Sequence, residues 1–377
     1  MTESAIYPKS LRGAIVGFGF ISERGHLPAY ALPGPTKFDI VAVADTCEAR
    51  REKARQAIPG VRVYTTHEAL LDAERGRIDF VDVTTPPCDH GRIARDALSR
   101  GLHVLCEKPL STSGSEARAM ATHAREVRRV LFPCHNYKHA PVIKAVRQVL
   151  DSGRIGSVRL VTLDTFRNTH AKGVDEWRRD WRRENRFSGG GIAMDHGSHT
   201  FYLAFDWFGE YPTAISAKMS SQSKVGGTFD TEDNFSCALT FPSGTATAHL
   251  SWTAGVRKVI YTIHGDRGAI RVEDDDVEVA AMSGGATGPA SWEIRKHKIA
   301  SEWMDASHVG WFRSLFNQFA TAIAEDDFFS KETETSVRCV ELITTAYESA
   351  RERSIERVLG AGPSSRSNLA NKGGTAA

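Results

Sequence analysis

AIVGFGFISERGHL, residues 14–27, runs from a short apolar stretch through Gly17 and Gly19 into a helical pattern. A strand that turns sharply into a helix needs one residue without a Cβ at the turn and another where a pyrophosphate can meet backbone amides. The helix N-terminus then favours the anion's charge. Ser22 stands where the third glycine of GxGxxG is usual, so the context must carry the reading. A second β-rich run, FDIVAVAD (38–45), ends on Asp45, 26 residues after Gly19. A carboxylate there accepts hydrogen bonds from the adenosine ribose and repels a 2′-phosphate. Gly17, Phe18, Gly19, Phe20, Ile21 and Asp45 are therefore expected to hold NAD. Two alternatives stay open: Asp45 as a cap of the helix that follows it, and NADP, less favoured, through Arg50 and Arg51.

Outward from this loop the rhythm continues. RIDFVDVTT (77–85), GLHVLCEKP (101–109) and RRVLFPCHN (128–136) read as strands. TCEARREKARQAI (46–58), PCDHGRIARDALSRG (87–101) and STSGSEARAMATHAREV (111–127) read as helices, the last with Ser111 or Ser113 as cap. Strands alternating with helices predict an α/β fold with a doubly wound parallel sheet. From about residue 157 strands joined by tight turns replace this alternation. In TATAHLSW (245–252) small or apolar side chains alternate with polar ones, as in an antiparallel sheet with one covered face. Its other face is either a subunit interface or solvent-exposed. Trp311, Leu315, Phe319 and Ile323 repeat at helical spacing beside Phe312 and Phe316, which marks a buried helix face. The expected domains are 1–134, dinucleotide-binding, and 135–360, for substrate and oligomerisation, followed by a disordered tail at 361–377.

A chain of 377 residues with 41% hydrophobic and 25% charged residues can build two cores. Its 48 basic and 46 acidic side chains leave a formal charge of +2, which argues against nucleic acid. The six cysteines form no CxxC pair, so neither a zinc site nor a disulfide framework is indicated. No stretch has a membrane span's apolar length, and a cytoplasmic location is expected.

GGGIAMDHGSH (189–199) sets three glycines before a helical pattern carrying Asp195 and His199 at i, i+4, on one face, with His196 off it. The glycines are expected to let this helix approach a ligand closely. Histidine exchanges protons near neutrality, which suits a general acid or base. In DEWRRDWRRENR (175–186) five arginines alternate with four acids, and the segment reads mostly as a paired, solvated helix.

TTPPCDH (84–90), EKP (107–109), CHNYKHAP (134–141) and GGGIAMDHGSH together resemble the Gfo/Idh/MocA oxidoreductase family, over about residues 10–350. The resemblance implies a Rossmann domain followed by an α/β domain on a large open, predominantly antiparallel sheet. Glu107 and Lys108 match the family's EKP motif, and Asp195 and His199 its DxGxH. It implies Lys108, Asp195 and His199 as catalytic residues, the lysine supporting an alkoxide and the histidine moving a proton. Thr85, Pro86, His90, Glu107, Lys108 and Asn136 would complete the cofactor site, with Pro87 where asparagine is usual. Lys108, Lys138, Trp177, Arg178, Asp195 and His199 would face substrate. The implied reaction passes a hydride between NAD and a carbon of a sugar, sugar derivative or cyclitol, without metal, in a homodimer or homotetramer built through the C-terminal sheet. An NAD-dependent glycosidase and a non-catalytic NAD-sensing regulator are the alternatives.

Overall fold

The computed structural model describes residues 7–222, 229–283, 291–301, 303, 305–352, 355 and 357–359. The expected tail at 361–377 lies outside them. The first sheet is built from β1 (Ser10–Val16), β2 (Lys37–Ala44), β3 (Arg62–Tyr64), β4 (Phe80–Val83), β5 (His103–Cys106) and β6 (Leu131–Pro133). All pairs are parallel, in the order β3-β2-β1-β4-β5-β6. Helices cover both faces, so β4 is buried at every position, as a parallel sheet requires. The order reverses between β1 and β4, and there the glycine loop leaves the carboxyl end of β1, the usual place for a ligand in such sheets.

The crossover helices are α1 (Leu27–Ala31), α2 (Glu48–Ala57), α3 (His67–Ala73), α4 (Pro87–Ser99) and α5 (Gly114–Glu126). Ser113 caps α5 by accepting the Glu116 amide at 3.4 Å. Neither β3 nor α3 is legible in the sequence, because three and seven residues are too short to display a period.

After α6 (Pro141–Asp151) comes the second sheet, whose first strand is β7 (Val158–Phe166). Short α7 (Asn185–Ser188) and long α8 (Ile192–Phe208) follow, then β8 (Ala214–Ser220), β9 (Asn234–Thr240), β10 (Thr245–Ser251), β11 (Lys258–Gly265), β12 (Gly268–Glu273), β13 (Asp276–Ser283) and β14 (Ser291–Lys298). α9 (Val309–Ala324), α10 (Lys331–Arg351) and β15 (Arg357–Val358) end the described chain. The sheet order is β14-β13-β12-β11-β7-β10-β9-β8-β15, antiparallel except where β10 meets β7. α8 lies in the core against this sheet, with Phe201, Leu203 and Ala204 fully buried.

A boundary at 134/135 separates the two sheets, but the last helices cross back over it. α9 puts Phe312, Leu315, Phe316 and Phe319 into the first domain's core beside Ile15, Phe38 and Phe80. α10 contributes Val337 and Val340 to that domain and Leu342, Ile343 and Ala346 to the other, so it fastens the two together. Residues 175–186 are not the helix expected from their charge pattern. They form turns and a single 3-10 turn, Trp181–Arg183, leading into α7, because four of their side chains, Glu176, Asp180, Arg182 and Arg183, are engaged by other segments.

Candidate active site

A cleft of about 840 Å³ runs between the two domains. Its floor is the glycine loop. Gly17 has φ +94°, and a Cβ there would meet the Thr85 backbone nitrogen at 2.9 Å. Gly19 has nothing within 4 Å of where a Cβ would stand, so its backbone opens on the cleft. Ser22 has a reason of its own: its buried hydroxyl donates to Gly17 O at 2.5 Å and meets Thr84 Oγ1 at 2.7 Å, tying the loop to β4. Asp45 accepts the amides of Phe18 and Cys47, each at 2.7 Å. It thus braces both loops rather than capping α2, whose N-cap, Cys47, makes no side-chain cap bond. Burial raises the Asp45 carboxyl against the pull of those amides and of Arg50 and Arg51.

The arginines that left NADP open are both engaged. Buried Arg50 donates to Phe18 O and Glu23 and reaches Glu176, while Arg51 donates to the carbonyls of Asp45 and Thr46.

Lys108 leaves the carboxyl edge of the first sheet through a cis bond to Pro109 and crosses to the second domain. Its Nζ donates to the Asp195 carbonyl at 2.7 Å and lies 3.3 Å from Asp195 Oδ1. Arg182 Nε stands 3.3 Å from the same oxygen, and His196 Nδ1 3.1 Å from Oδ2. Burial alone would raise the Asp195 carboxyl, but Lys108, Arg182 and His196 hold it well below the usual range. One turn along α8, His199 stacks on Tyr137 with centroids 3.8 Å apart, and its Nδ1 meets Tyr202 Oη at 2.7 Å. Burial, then Lys108 and His196, push this imidazole well below 6.5, so it is neutral at pH 7.

The glycine run serves packing rather than ligand approach. Gly189, at φ +74°, ends α7, and a Cβ on Gly191 would collide with the Glu232 carbonyl. The Glu232 carboxylate accepts the Gly191 and Ala193 amides at 2.9 Å and a hydrogen bond from Tyr347. A carboxylate from another segment thus caps α8, where the free amides and the dipole favour it, and fixes the turn that carries Asp195.

Of the residues singled out in the sequence, Gly17, Gly19, Phe20, Ile21, Asp45, Thr85, Pro86, Glu107, Lys108, Asn136, Trp177, Asp195 and His199 line this cleft. Four do not. Phe18 is buried beneath the loop and offers only its backbone. His90 is fully buried and bridges the carbonyls of Thr85 and Pro109 at 2.8 and 2.9 Å, holding the walls without facing the cleft. Lys138 turns inward to Glu332 on α10, with Asp206 3.9 Å away; Glu332 also binds His135. Arg178 points to Glu184 and over the Phe187 ring.

Pro87 sits at the first position of α4, where its missing N–H costs nothing. Trp181 and Arg182, four residues beyond Trp177 and Arg178, line the cleft, and so does His196, set aside as off the face. Arg183 is buried on Asp233. Arg167, His170, Arg257 and His308 also reach the cleft. They come from the loops at the ends of β7 and β11 and the approach to α9, which carry no motif; only the density of basic residues there was a signal.

A family model described as "Oxidoreductase family, NAD-binding Rossmann fold" matches residues 11–135, and one described as "GFO/IDH/MocA C-terminal domain" matches 143–271. An uncharacterised oxidoreductase of Schizosaccharomyces pombe is 29% identical over 62% of this chain, and the match covers 61% of that relative's length. A D-apiose dehydrogenase of Paraburkholderia graminis is 28% identical over 92% of this chain and 90% of its own. The crystal structure of an inositol dehydrogenase homolog of Azotobacter vinelandii complexed with NAD+ superimposes with a TM-score of 0.76 at 21% identity, over 94% of this chain and 98% of that one.

Proposed function

Because the chain belongs to the Gfo/Idh/MocA oxidoreductase family, we propose that it is an NAD-dependent dehydrogenase oxidising a hydroxyl-bearing carbon of a sugar, sugar derivative or cyclitol. The relatives named for apiose and inositol support that substrate class. The observation that carries the reading is the meeting of Lys108, Asp195 and His199, from separate segments and two domains, in the cleft that the glycine loop floors.

Gly17 to Ile21 and Asp45 fit a dinucleotide: Gly19 leaves room at the turn, and each Asp45 oxygen keeps a lone pair beyond its amide. When bound, NAD supplies the two-electron acceptor. The protein's part is proton transfer and charge stabilisation. In the tautomer that donates Nδ1–H to Tyr202, His199 presents Nε2 to the substrate hydroxyl as a base. Lys108 donates a hydrogen bond to the oxygen as negative charge grows on it. Asp195 anchors the lysine from its carbonyl and carboxylate together, and Glu107 accepts the Lys108 amide at 3.0 Å from the other side.

The test is His199→Ala assayed with NAD and a panel of polyols. Turnover should fall about 100-fold or more while NADH still quenches protein fluorescence at the same concentration. Undiminished turnover removes His199 from the mechanism. Stoichiometric NADH accumulation by the unmodified protein separates a dehydrogenase from a glycosidase, which returns the cofactor to its starting state.

A further inference from the structure

Arg167 and Arg257 face each other at the end of the second sheet. The ladder of β7 and β11 ends on the pair Phe166 and Lys258, so the next residues in register are Arg167 and Arg257. Directly opposed side chains of an antiparallel pair stand about 5 Å apart at Cβ, and like charges there are unfavourable. Arg167 is 9% exposed and is fixed by donating from Nη1 to the carbonyls of Phe166 and Lys258 at 2.8 and 3.3 Å. The Nε of Arg257 is buried with no hydrogen-bond partner among the described residues. Neither arginine has a carboxylate partner among them, and Glu273 and Asp274 nearby are taken by Lys258.

Both arginines line the cleft. Burial holds His308 down at about 4, and Arg257 and Arg167 press it in the same direction; its buried Nδ1 also has no hydrogen-bond partner among the described residues. Arg167 likewise acts on His196, next to the proposed base's helix turn. Around this end of the cleft stand Lys108, Arg167, Lys172, Arg182 and Arg257. Three carboxylates answer them among the described residues: Asp195 for Lys108 and Arg182, Glu107 also for Lys108, and Asp180 for Lys172. The positive excess is the arginine pair. Arg167 is buried and Arg257 half-buried, so a neutral polyol would leave the pair screened from water without a counter-charge, which is costly, whereas a carboxylate or phosphate matches their fork geometry.

We propose that the substrate is a polyol bearing an oxyanion, carboxylate or phosphate, which Arg167 and Arg257 clamp beside His308 while its hydroxyl carbon lies at Lys108 and His199. This rests on the dehydrogenase reading for the reaction but makes a separate claim about binding.

Calorimetric titration of NADH-loaded protein with D-glucose, myo-inositol, D-gluconate, D-glucuronate and D-glucose 6-phosphate tests it without turnover. The best anionic probe should bind about 30-fold or more tightly than either neutral one. Arg257→Gln should erase most of that ratio and Arg257→Lys retain part of it. A carboxylate preference identifies a sugar acid, and a phosphate preference a phosphosugar. Equal binding of neutral and anionic probes, or a ratio untouched by Arg257→Gln, overturns the proposal. NAD reduction by the same probes is read separately: anion-selective binding without turnover defeats the dehydrogenase reading alone, and turnover of neutral polyols without anion preference defeats the clamp alone.

Discussion

Asp195 gathers Lys108, Arg182 and His196 around one carboxylate, and this congestion sets the protonation of its neighbour. Two of those groups, together with burial, disfavour a second positive charge on His199. A base must be unprotonated to act, and its protonated form appears only once pH falls through its own depressed value. The kcat/KM for oxidation should therefore stay level as pH drops through 6.5, the ordinary histidine value, and decline only in more acidic buffer. Initial rates in overlapping buffers measure this, and an acidic limb centred at or above 6.5 would contradict it. The DxGxH spacing puts Asp195 and His199 one turn apart, and both line the cleft. Arg182 was not foretold, because its charge pattern also suits a solvated helix; only its approach to Asp195 distinguishes the two.

The entry to α8 decides where that turn stands. Gly191 passes so close to the Glu232 backbone that a methyl group has no place, and the Glu232 carboxylate caps the helix from across the chain. Gly191→Ala should cost about 2 kcal/mol or more in urea denaturation, as overpacking of a tight contact does, and should weaken NADH binding in whatever remains folded. Stability equal to the unsubstituted protein would show that the glycine is not required for this contact. The sequence shows that glycines precede the helix, but the close approach they permit is to the Glu232 backbone and not to a ligand. Local sequence shows where a Cβ is missing; it cannot show which of two surfaces, ligand or chain, occupies the space. The same limit explains β3 and α3, whose residues carry too few repeats to reveal a face.

At the scale of the molecule, the second sheet has one face covered by helices and, among the described residues, one bare. Along the bare face the register Leu160, His264, Ala269, Ala280, Ile294 makes a continuous row, with Met282 and Trp292 paired beside it. Ile294 is 58% exposed and Trp292 63%, values high enough to make this an apolar patch that a partner would cover. The alternation of residues 245–252 left this face as either a subunit interface or exposed to solvent; association through it predicts that Ile294→Lys with Trp292→Glu lowers the mass seen by light scattering while the fold is kept. A double variant of unchanged mass places any interface elsewhere. Among the described residues no helix is long and apolar enough to cross a membrane.

Taken by itself, the sequence determined the order of strand, glycine turn, helix and the acid Asp45 at the end of the second strand, the change from a parallel to a mostly antiparallel sheet, and the placing of Asp195 and His199 one turn apart on one helix. All are short-range patterns, fixed by backbone sterics and by the periods of helix and strand. Tertiary structure alone decided that Lys138 pairs with Glu332, that α9 returns to the first domain, and that Arg167 and Arg257 come together just past the end of the β7–β11 ladder. Those contacts join residues 90 to nearly 300 positions apart. At such separations burial and register, summed over whole sheets, choose the partner of each charge, and no local pattern records the choice.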